Sequence, residues 1–218
     1  MKKILLINGS PHEKGCTWRA LTELAQALQA EGVDSELLWL GKKPMADCIA
    51  CGHCFKTGHC MFKDQVNEII DRFDEFGGLV AGSPVYYGGA NGRLTSFLTR
   101  LLFASSRGPL AKDEQGHSKR TGMLAAAVVS CRRSGATATF QRINMFFQMC
   151  NMHVVSSSYW NNVHGYTAED VEKDSEGLQV MRTLGKNMAW LLKSIEAGKQ
   201  QGIELAPYEE RAITNFIR

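Results

Sequence analysis

Short apolar runs alternate with segments of helical periodicity over most of the chain. Apolar runs of strand length occur at residues 3–8, 34–40, 78–82, 123–129 and 154–159. Apolar side chains at helical spacing predict helices at 17–31, 92–104, 139–150 and 169–197, and Asp64 can cap another that reaches about residue 73. Because parallel strands need helical crossovers, this alternation predicts an α/β fold with a doubly wound, five-stranded parallel sheet in three layers.

A single domain accounts for this pattern. Residues 1–197 can bury a full core, since single α/β domains often reach ~200 residues. Residues 198–218 form a polar tail that we expect to reach another subunit. The polar loop at 105–120 is longer than a packing connection requires, so it is a candidate lid or subunit contact.

Charge and hydropathy narrow the function classes. The chain has 25 Lys and Arg against 22 Asp and Glu, a net charge of +3, without a long run of either sign. This balance favours neither nucleic acid nor a membrane as partner. The apolar stretch at 4–7 is shorter than the ~7 residues of a signal-peptide core, and no run approaches the ~18 residues of a membrane span. We therefore expect a cytoplasmic protein, in which clustered cysteines are more often catalytic or metal-binding than disulfide-bonded.

Four of the seven cysteines fall within thirteen residues of a loop at 44–63: Cys48, Cys51, Cys54 and Cys60. Their spacing allows four thiolates to surround a [4Fe-4S] cluster, although the last interval is longer than in the bacterial ferredoxin run. Zinc is a second interpretation, but structural zinc sites usually use two separated Cys-x-x-Cys pairs. A loop without metal is the third. If metal binds, we expect it to provide most of the order of this loop, which has few apolar residues.

A turn that can bind phosphate follows the first predicted strand. Residues 9–17 run from Gly9-Ser10-Pro11 through Gly15 and Cys16 to Thr17, where a helix starts. Such a turn aims backbone N–H groups and the positive end of the helix dipole at one point, and Ser10 and Thr17 add hydroxyls. The turn matches neither the dinucleotide fingerprint nor the nucleoside-triphosphate loop, so the phosphate of FMN fits better. The alternative is an ordinary turn capped by threonine.

Two more glycine-bearing loops follow the third and fourth predicted strands. The loop at 83–89 offers a flat face and backbone donors to a flavin ring through Pro84, Val85, Tyr86, Tyr87 and Gly88. The loop at 130–135 carries Arg132, Arg133 and Gly135, and its arginines can stabilise negative charge on a reduced flavin. Loops at the carboxyl ends of neighbouring strands meet at the switch point of a doubly wound sheet, so we expect one binding site there.

The order of motifs over residues 1–197 resembles that of the iron–sulfur flavoprotein branch of the flavodoxin-like NADPH-dependent FMN reductase superfamily. The shared motifs are Gly9-Ser10-Pro11 with Gly15 and Thr17, the four cysteines followed by Asp64, Gly82-Ser83-Pro84-Val85-Tyr86-Tyr87, Arg132-Arg133 with Gly135-Ala136, Tyr159-Trp160-Asn161 with His164-Gly165, and Ala189-Trp190-Leu191-Leu192. The resemblance implies a flavodoxin-like fold, bound FMN, and a homodimer or homotetramer in which a neighbouring subunit helps to cover the flavin.

The resemblance also implies which residues bind the cofactor. The expected FMN contacts lie on the three loops: Ser10, Gly15, Cys16, Thr17, Pro84, Val85, Tyr86, Tyr87, Gly88, Arg132 and Gly135. Cys16 departs from the pattern, since many relatives carry asparagine there, and the N-terminus of a helix favours a thiolate. An alternative is that Cys16 is merely a small residue facing away from the phosphate. Trp160, Asn161 and His164 are expected either to form a wall of the substrate pocket or to pack in the core.

Three functions remain open at this point. The first is an FMN-dependent oxidoreductase that takes electrons from NAD(P)H, bound transiently over the flavin, and passes them to a small acceptor. The second is a non-enzymatic electron carrier between redox proteins, using FMN and a [4Fe-4S] cluster. The third is a zinc-stabilised binding module without flavin. None of them requires a nucleophilic residue, and the sequence does not choose between NADH and NADPH.

Overall fold

The computed structural model describes residues 2–107, 111–113, 117–206, 208, 209, 212 and 214. For residue 107 it describes the backbone alone. Parts of the polar loop predicted at 105–120 and of the polar tail at 198–218 lie outside the described residues, so the lid and the subunit contact stay predictions. In the described part of the chain no helix is both long and apolar enough to cross a membrane.

A parallel sheet forms the centre of the protein. Its strands, in chain order, are β1 (Lys3–Asn8), β2 (Ser35–Trp39), β3 (Phe76–Tyr86), β4 (Gly89–Ala90), β5 (Leu124–Cys131), β6 (His153–Val154) and β7 (Asn162–His164). The strand order is β2-β1-β3-β5-β6 and all four pairings are parallel, while β4 pairs antiparallel with β3 and β7 pairs parallel with β5. The predicted doubly wound, flavodoxin-like sheet is confirmed.

Helices cover both faces of this sheet. They are α1 (Cys16–Ala30), α2 (His53–Thr57), α3 (Gln65–Arg72), α4 (Gly92–Arg107), α5 (Ala136–Met149), α6 (Ala168–Val171) and α7 (Ser175–Gln200), with a 3-10 turn at Phe73–Glu75. Successive side chains of a strand point to opposite faces. Ile4 and Leu6 accordingly join one core with α1 and α7, whereas Leu5 and Ile7 join a second core with α3, α4 and α5. The continuous apolar run of β1 reflects its burial on both faces.

The strand predicted at 154–159 is wrong beyond its first residue: β6 ends at Val154, and a further short strand, β7, follows at Asn162–His164. Val155 still donates its N–H to Ala125 at 2.8 Å, but the chain then leaves the sheet. Ser157 Oγ lies 2.7 Å from both Tyr159 O and Asn161 Oδ1, and its single proton serves one of them at a time. These contacts close a turn before β7 pairs with β5. Asn161 is buried beside this turn and Trp160 is half-exposed. Serine side chains that bond nearby backbone groups compete with strand pairing, which explains the interruption.

The long helix predicted at 169–197 is also two helices. Thr167 and Asp170 form a reciprocal capping box at the start of α6, and Asp174 caps α7 by accepting a hydrogen bond from Gly177. These two caps fix separate helix starts seven residues apart, and α7 continues to Gln200. The helix predicted at 139–150 starts earlier than expected, at Ala136, directly after Gly135.

Candidate functional site

The loop after β1 is shaped by the last residue of that strand. Asn8 is fully buried, and its side chain accepts a hydrogen bond from Ser10 N at 3.0 Å and donates to Glu13 O at 2.9 Å. The Ser10 hydroxyl in turn accepts from His12 N at 3.1 Å. A single buried amide therefore holds both ends of the turn that leads into α1.

The first turn of α1 lacks a side-chain cap. Gly15 occupies the N-cap position without a side-chain hydrogen bond, and no acidic residue lies in the first turn. The first N–H groups of a helix have no partner within the helix, and they carry the positive end of its dipole. In the described structure these groups lie at the wall of a cleft, where an anion can take the place of the missing cap.

A buried hydroxyl pair joins the first turn of α1 to the end of β5. Thr17 Oγ1 lies 2.8 Å from Ser130 Oγ, and the two residues are only 1% and 3% exposed. Gly82 within β3 permits this approach, because a Cβ there would lie 2.9 Å from Thr17 Cγ2 and 3.1 Å from Ile7 O. When Ser130 donates to Thr17, the proton of the Thr17 hydroxyl remains free for a ligand.

The loops after β3 and β5 also touch each other. Gly135 has a φ of 88°, and a Cβ on it would lie 2.8 Å from Val85 Cγ1 and 3.3 Å from Gly88 Cα. Tyr87 has a positive φ of 49° and a fully exposed side chain, while Tyr86 is partly exposed. Glycine is therefore required at 135 both for the backbone conformation and for the close approach of the two loops.

These loops enclose a cleft of about 510 Å³ at the carboxyl ends of β1, β3 and β5. Eight predicted cofactor contacts line it: Ser10, Gly15, Cys16, Thr17, Pro84, Val85, Tyr86 and Arg132. The other four predicted residues lie on the same loops but outside this lining: Tyr87, Gly88, Arg133 and Gly135. The structure thus brings all three predicted loops to one cleft, and of the two predicted arginines Arg132 lies in its lining.

Sequence reasoning missed part of the cleft wall. His12, Lys14 and Ser130 belong to loops that the sequence singled out, but they were not assigned as contacts. The segment from Gly165 to Glu169 reaches the cleft from the start of α6 and was not expected there. Its sequence signal is the capping box at Thr167 and Asp170, which marks a helix start close to the end of β7.

Cys16 is a partly buried thiol rather than an activated one. Its Sγ donates to Gly165 O at 3.5 Å. Burial raises the pKa of the Cys16 thiol above its ordinary value, and the carboxylates of Asp170 and Glu169 raise it further. The thiolate expected from the position at the helix N-terminus is therefore not favoured, because burial outweighs the dipole.

The four clustered cysteines line a second, separate cavity of about 150 Å³. Its other walls are largely apolar and include Phe55, Met61, Phe62 and Phe103. The chain wraps around the cavity through left-handed conformations at Ala50 (φ 54°) and Gly52 (φ 72°) before the short helix α2. Burial raises the pKa of the Cys54 thiol, and the charges of Cys48, Cys51 and Cys60 raise it further, as expected for four sulfurs in proximity.

The four thiols line one cavity. Among the residues that the structure describes, no group of three or more His, Cys, Asp and Glu side chains is arranged to hold a metal ion. Four thiolates are the ligand set of a [4Fe-4S] cluster and also of a structural zinc site, so the chemistry of this donor set fits both groups.

Cys60 is held firmly by protein groups alone. Its backbone N–H donates to Asn67 Oδ1 at 2.8 Å, and its carbonyl accepts from Asn67 Nδ2 at 2.9 Å. Its Sγ accepts a hydrogen bond from Arg100 Nε at 3.1 Å. Cys48 and Cys51 are exposed by contrast. The expectation that little besides metal orders this loop is therefore wrong for the Cys60 end.

The comparisons with known proteins agree with this geometry. A family model described as NADPH-dependent FMN reductase matches residues 2–167. An iron–sulfur flavoprotein of Methanocaldococcus jannaschii is 34% identical over 199 residues, covering 89% of this chain and 99% of that protein. An iron–sulfur flavoprotein of Archaeoglobus fulgidus is 27% identical over 202 residues, covering 88% of this chain and 98% of that protein.

Solved structures show the same fold at low sequence identity. RosB, with a bound 8-demethyl-8-formylriboflavin-5'-phosphate intermediate, has a TM-score of 0.68 at 12% identity, over 100% of this chain and 93% of that one. An archaeal flavodoxin has a TM-score of 0.54 at 16% identity, over 88% of this chain and 99% of that one. At these identities the likeness concerns the fold alone.

Proposed function

Because the chain belongs to the NADPH-dependent FMN reductase family, in its iron–sulfur flavoprotein branch, we propose that this flavin-dependent oxidoreductase takes electrons from NAD(P)H and passes them through FMN to a small acceptor. The observation that carries the proposal is the cleft, in which three loops converge beside the uncapped first turn of α1. Bound FMN would supply hydride and single-electron chemistry. The protein binds and orients the cofactor and stabilises its charge.

The residues of the cleft divide this work. Ser10, Thr17 and the first N–H groups of α1 would hold the phosphate, since the buried Thr17–Ser130 pair fixes one hydroxyl in advance. Pro84, Val85 and Tyr86 would contact the flavin ring. Arg132 would stabilise negative charge on the reduced ring, because a cation beside developing charge lowers its energy.

Removal of the Ser10 and Thr17 hydroxyls tests this placement. Hydrogen bonds to a charged group contribute about 1.5–3 kcal/mol, so Ser10→Ala and Thr17→Ala should each weaken FMN binding by about tenfold or more. The matched control is Thr22→Ala on the same helix, where the hydroxyl bonds only Trp18 O at 2.9 Å. Titration of the apoprotein with FMN, followed by flavin fluorescence, gives the affinities. Unchanged affinity in the Ser10→Ala, Thr17→Ala double variant would contradict the placement.

We propose further that the four clustered cysteines hold a [4Fe-4S] cluster. The support is their common cavity and their mutual electrostatic influence on Cys54. Protein purified without oxygen should contain iron and sulfide, and Cys51→Ala should remove the cluster absorbance while FMN stays bound. Cys150→Ala, outside the cavity at the end of α5, is the control. Iron-free protein that cannot be reconstituted with iron and sulfide would reject the cluster, and bound zinc would establish the other metal.

Loss of the metal should affect the two ends of the cysteine segment unequally. Asn67 and Arg100 hold the Cys60 end, whereas Cys48 and Cys51 are exposed. Hydrogen exchange of the metal-free protein should therefore rise at residues 46–52 much more than at 60–64. Equal loss of protection at both ends would contradict this division.

The enzyme and the electron carrier differ in their kinetics. Steady oxidation of NAD(P)H by purified protein with a quinone, free flavin, nitro compound or oxygen as acceptor supports the enzyme. Flavin reduction by reduced ferredoxin, without NAD(P)H oxidation, supports the carrier. A cluster held in the cavity of the four cysteines would then pass single electrons.

We also propose that the protein is a homodimer or homotetramer in which a neighbouring subunit covers the flavin. The exposed aromatic side chains of Tyr86, Tyr87 and Tyr166 near the cleft support this proposal. Light scattering measures the oligomeric state directly, and a monomer that turns over at full rate would contradict it.

A further inference from the structure

A buried arginine lies beneath the cysteine segment. The Arg100 side chain on α4 is only 1% exposed, and its guanidinium forms a two-pronged ion pair with Asp64 through N–O distances of 2.7 and 2.8 Å. The same guanidinium donates to Ala46 O at 3.2 Å and to Phe62 O at 3.4 Å, and it lies 5.0 Å from the centre of the Phe62 ring. Both terminal nitrogens of the guanidinium therefore have defined partners.

The third nitrogen of the guanidinium, Nε, has a sulfur atom as its partner. Arg100 Nε donates to Cys60 Sγ at 3.1 Å, a short distance for a hydrogen bond to sulfur. The carboxylate of Asp64 and the carbonyls of Ala46 and Phe62 already give each terminal nitrogen two acceptors. Asp64 also caps α3 by accepting from Val66 N at 3.1 Å. A loop anchor would need no contact with the thiol. The geometry instead points the fixed positive group at one of the four sulfurs.

We infer that Arg100 raises the reduction potential of the cluster by hydrogen-bonding the ligand sulfur of Cys60. This inference rests on the [4Fe-4S] cluster of the proposed function. Reduction adds one electron from an external reductant and makes the cluster more negative by one charge, with no bond formed or broken. A donor to the sulfur and a buried cation both stabilise that added charge, and these are the two influences that tune such clusters. Arg100 acts through Cys60 and is a positioning residue.

The test compares two arginines of the same helix. Arg100→Gln removes the cation, and Arg100→Lys keeps the charge but loses the planar fork. Arg93→Gln is the control, because Arg93 anchors the chain just before the cysteine segment, donating to Lys43 O at 3.0 Å and Gly41 O at 2.6 Å. The midpoint potential is measured by redox titration with electron paramagnetic resonance, using dithionite and mediators, on protein reconstituted with cluster and FMN.

Arg100→Gln should lower the cluster potential, Arg100→Lys should lower it less, and Arg93→Gln should leave it at the wild-type value. The FMN potential should be unchanged in all three variants. An Arg100→Gln protein that carries the cluster at the wild-type potential overturns the inference, as does an equal shift in Arg93→Gln.

A measurement on the unaltered protein covers variants that fail to assemble the cluster. In wild-type protein with nitrogen-15 arginine, pulsed electron paramagnetic resonance of the reduced cluster should show coupling to one arginine nitrogen. A cluster without such coupling overturns the inference while leaving the proposed function in place. Iron-free wild-type protein overturns the cluster and this inference together, whereas FMN binding is scored separately.

Discussion

Gly82 is the point at which the core and the cofactor cleft depend on the same missing side chain. A Cβ at this position would lie 2.8 Å from Leu21 Cδ1, 2.9 Å from Thr17 Cγ2 and 3.1 Å from Ile7 O. The first two contacts belong to α1 and the third to the backbone of β1. A Gly82→Ala variant must therefore displace the start of α1 from the sheet.

The magnitude follows from the cost of overpacking. An extra methyl group in a tightly packed core costs about 1–3 kcal/mol. For a chain of this size each kcal/mol lowers the Tm by about 2–4 °C, so the Tm should fall by roughly 2–12 °C. Displacement of Thr17 should also lengthen its 2.8 Å contact with Ser130 Oγ. We expect FMN affinity to fall by about fivefold or more, the equivalent of about 1 kcal/mol.

Circular dichroism melts of the apoprotein and fluorescence titration with FMN measure the two effects separately. The matched control is Gly92→Ala at the start of α4, where an added Cβ would have nothing within 4 Å. Alanine is the better helix former by about 1 kcal/mol, so this control should keep its Tm or gain slightly. If Gly82→Ala matches Gly92→Ala in both assays, the reasoning from close approach is refuted.

Two further predictions concern a strained residue and a buried carboxylate. Ala50 has a φ of 54°, a left-handed conformation that a β-branched side chain disfavours. Ala50→Val should therefore destabilise the cysteine segment by about 1–2 kcal/mol more than Ala50→Gly. Equal melting temperatures of the two metal-free variants would contradict this. Burial opposes ionisation of Glu23, but hydrogen bonds from Arg182 and Arg19 outweigh it and lower the pKa of Glu23 below its ordinary 4.5. Its stabilisation is therefore fully present above about pH 4.5 and is lost as the pH falls through the lower folded-state pKa. Glu23→Gln should remove about 1–2 kcal/mol of stability at pH 7 and flatten this acid dependence. The control is Glu68→Gln, at an exposed position, which should keep the wild-type profile of stability against pH. Melts from pH 3 to pH 7, a range of roughly four pH units, compare the two variants.

The fold was predictable because its signals are local. The apolar run of β1, the helical spacing of α1 and the cap at Asp64 are each visible within a few residues. The last strand was not, because the Ser157 turn that interrupts it depends on hydrogen bonds rather than on hydropathy. Side-chain capping likewise divided the last helix where apolar spacing alone suggested continuity.

The cleft was predictable in outline, since strand ends of a doubly wound sheet converge by topology. The contacts that define it were not, because they join residues far apart in sequence. Thr17 meets Ser130 across 113 positions, and Arg100 meets Cys60 across 40. No local pattern in one sequence marks such a pair. The sequence likewise left the state of Cys16 open, since the partial burial beside Gly165 that raises the pKa of this thiol is not a local signal.

If the uncapped first turn of α1 holds the FMN phosphate as proposed, the lifetime of the protein depends on the supply of its cofactor. A ligand that binds only the folded state adds about 2.7 kcal/mol of stability at a hundred times its dissociation constant. Since Gly15 provides no substitute cap, chains made when flavin is scarce would unfold more often and be degraded sooner. The abundance of the protein would then follow the availability of flavin without a dedicated regulator, because the first N–H groups of α1 lack a partner when no phosphate is bound.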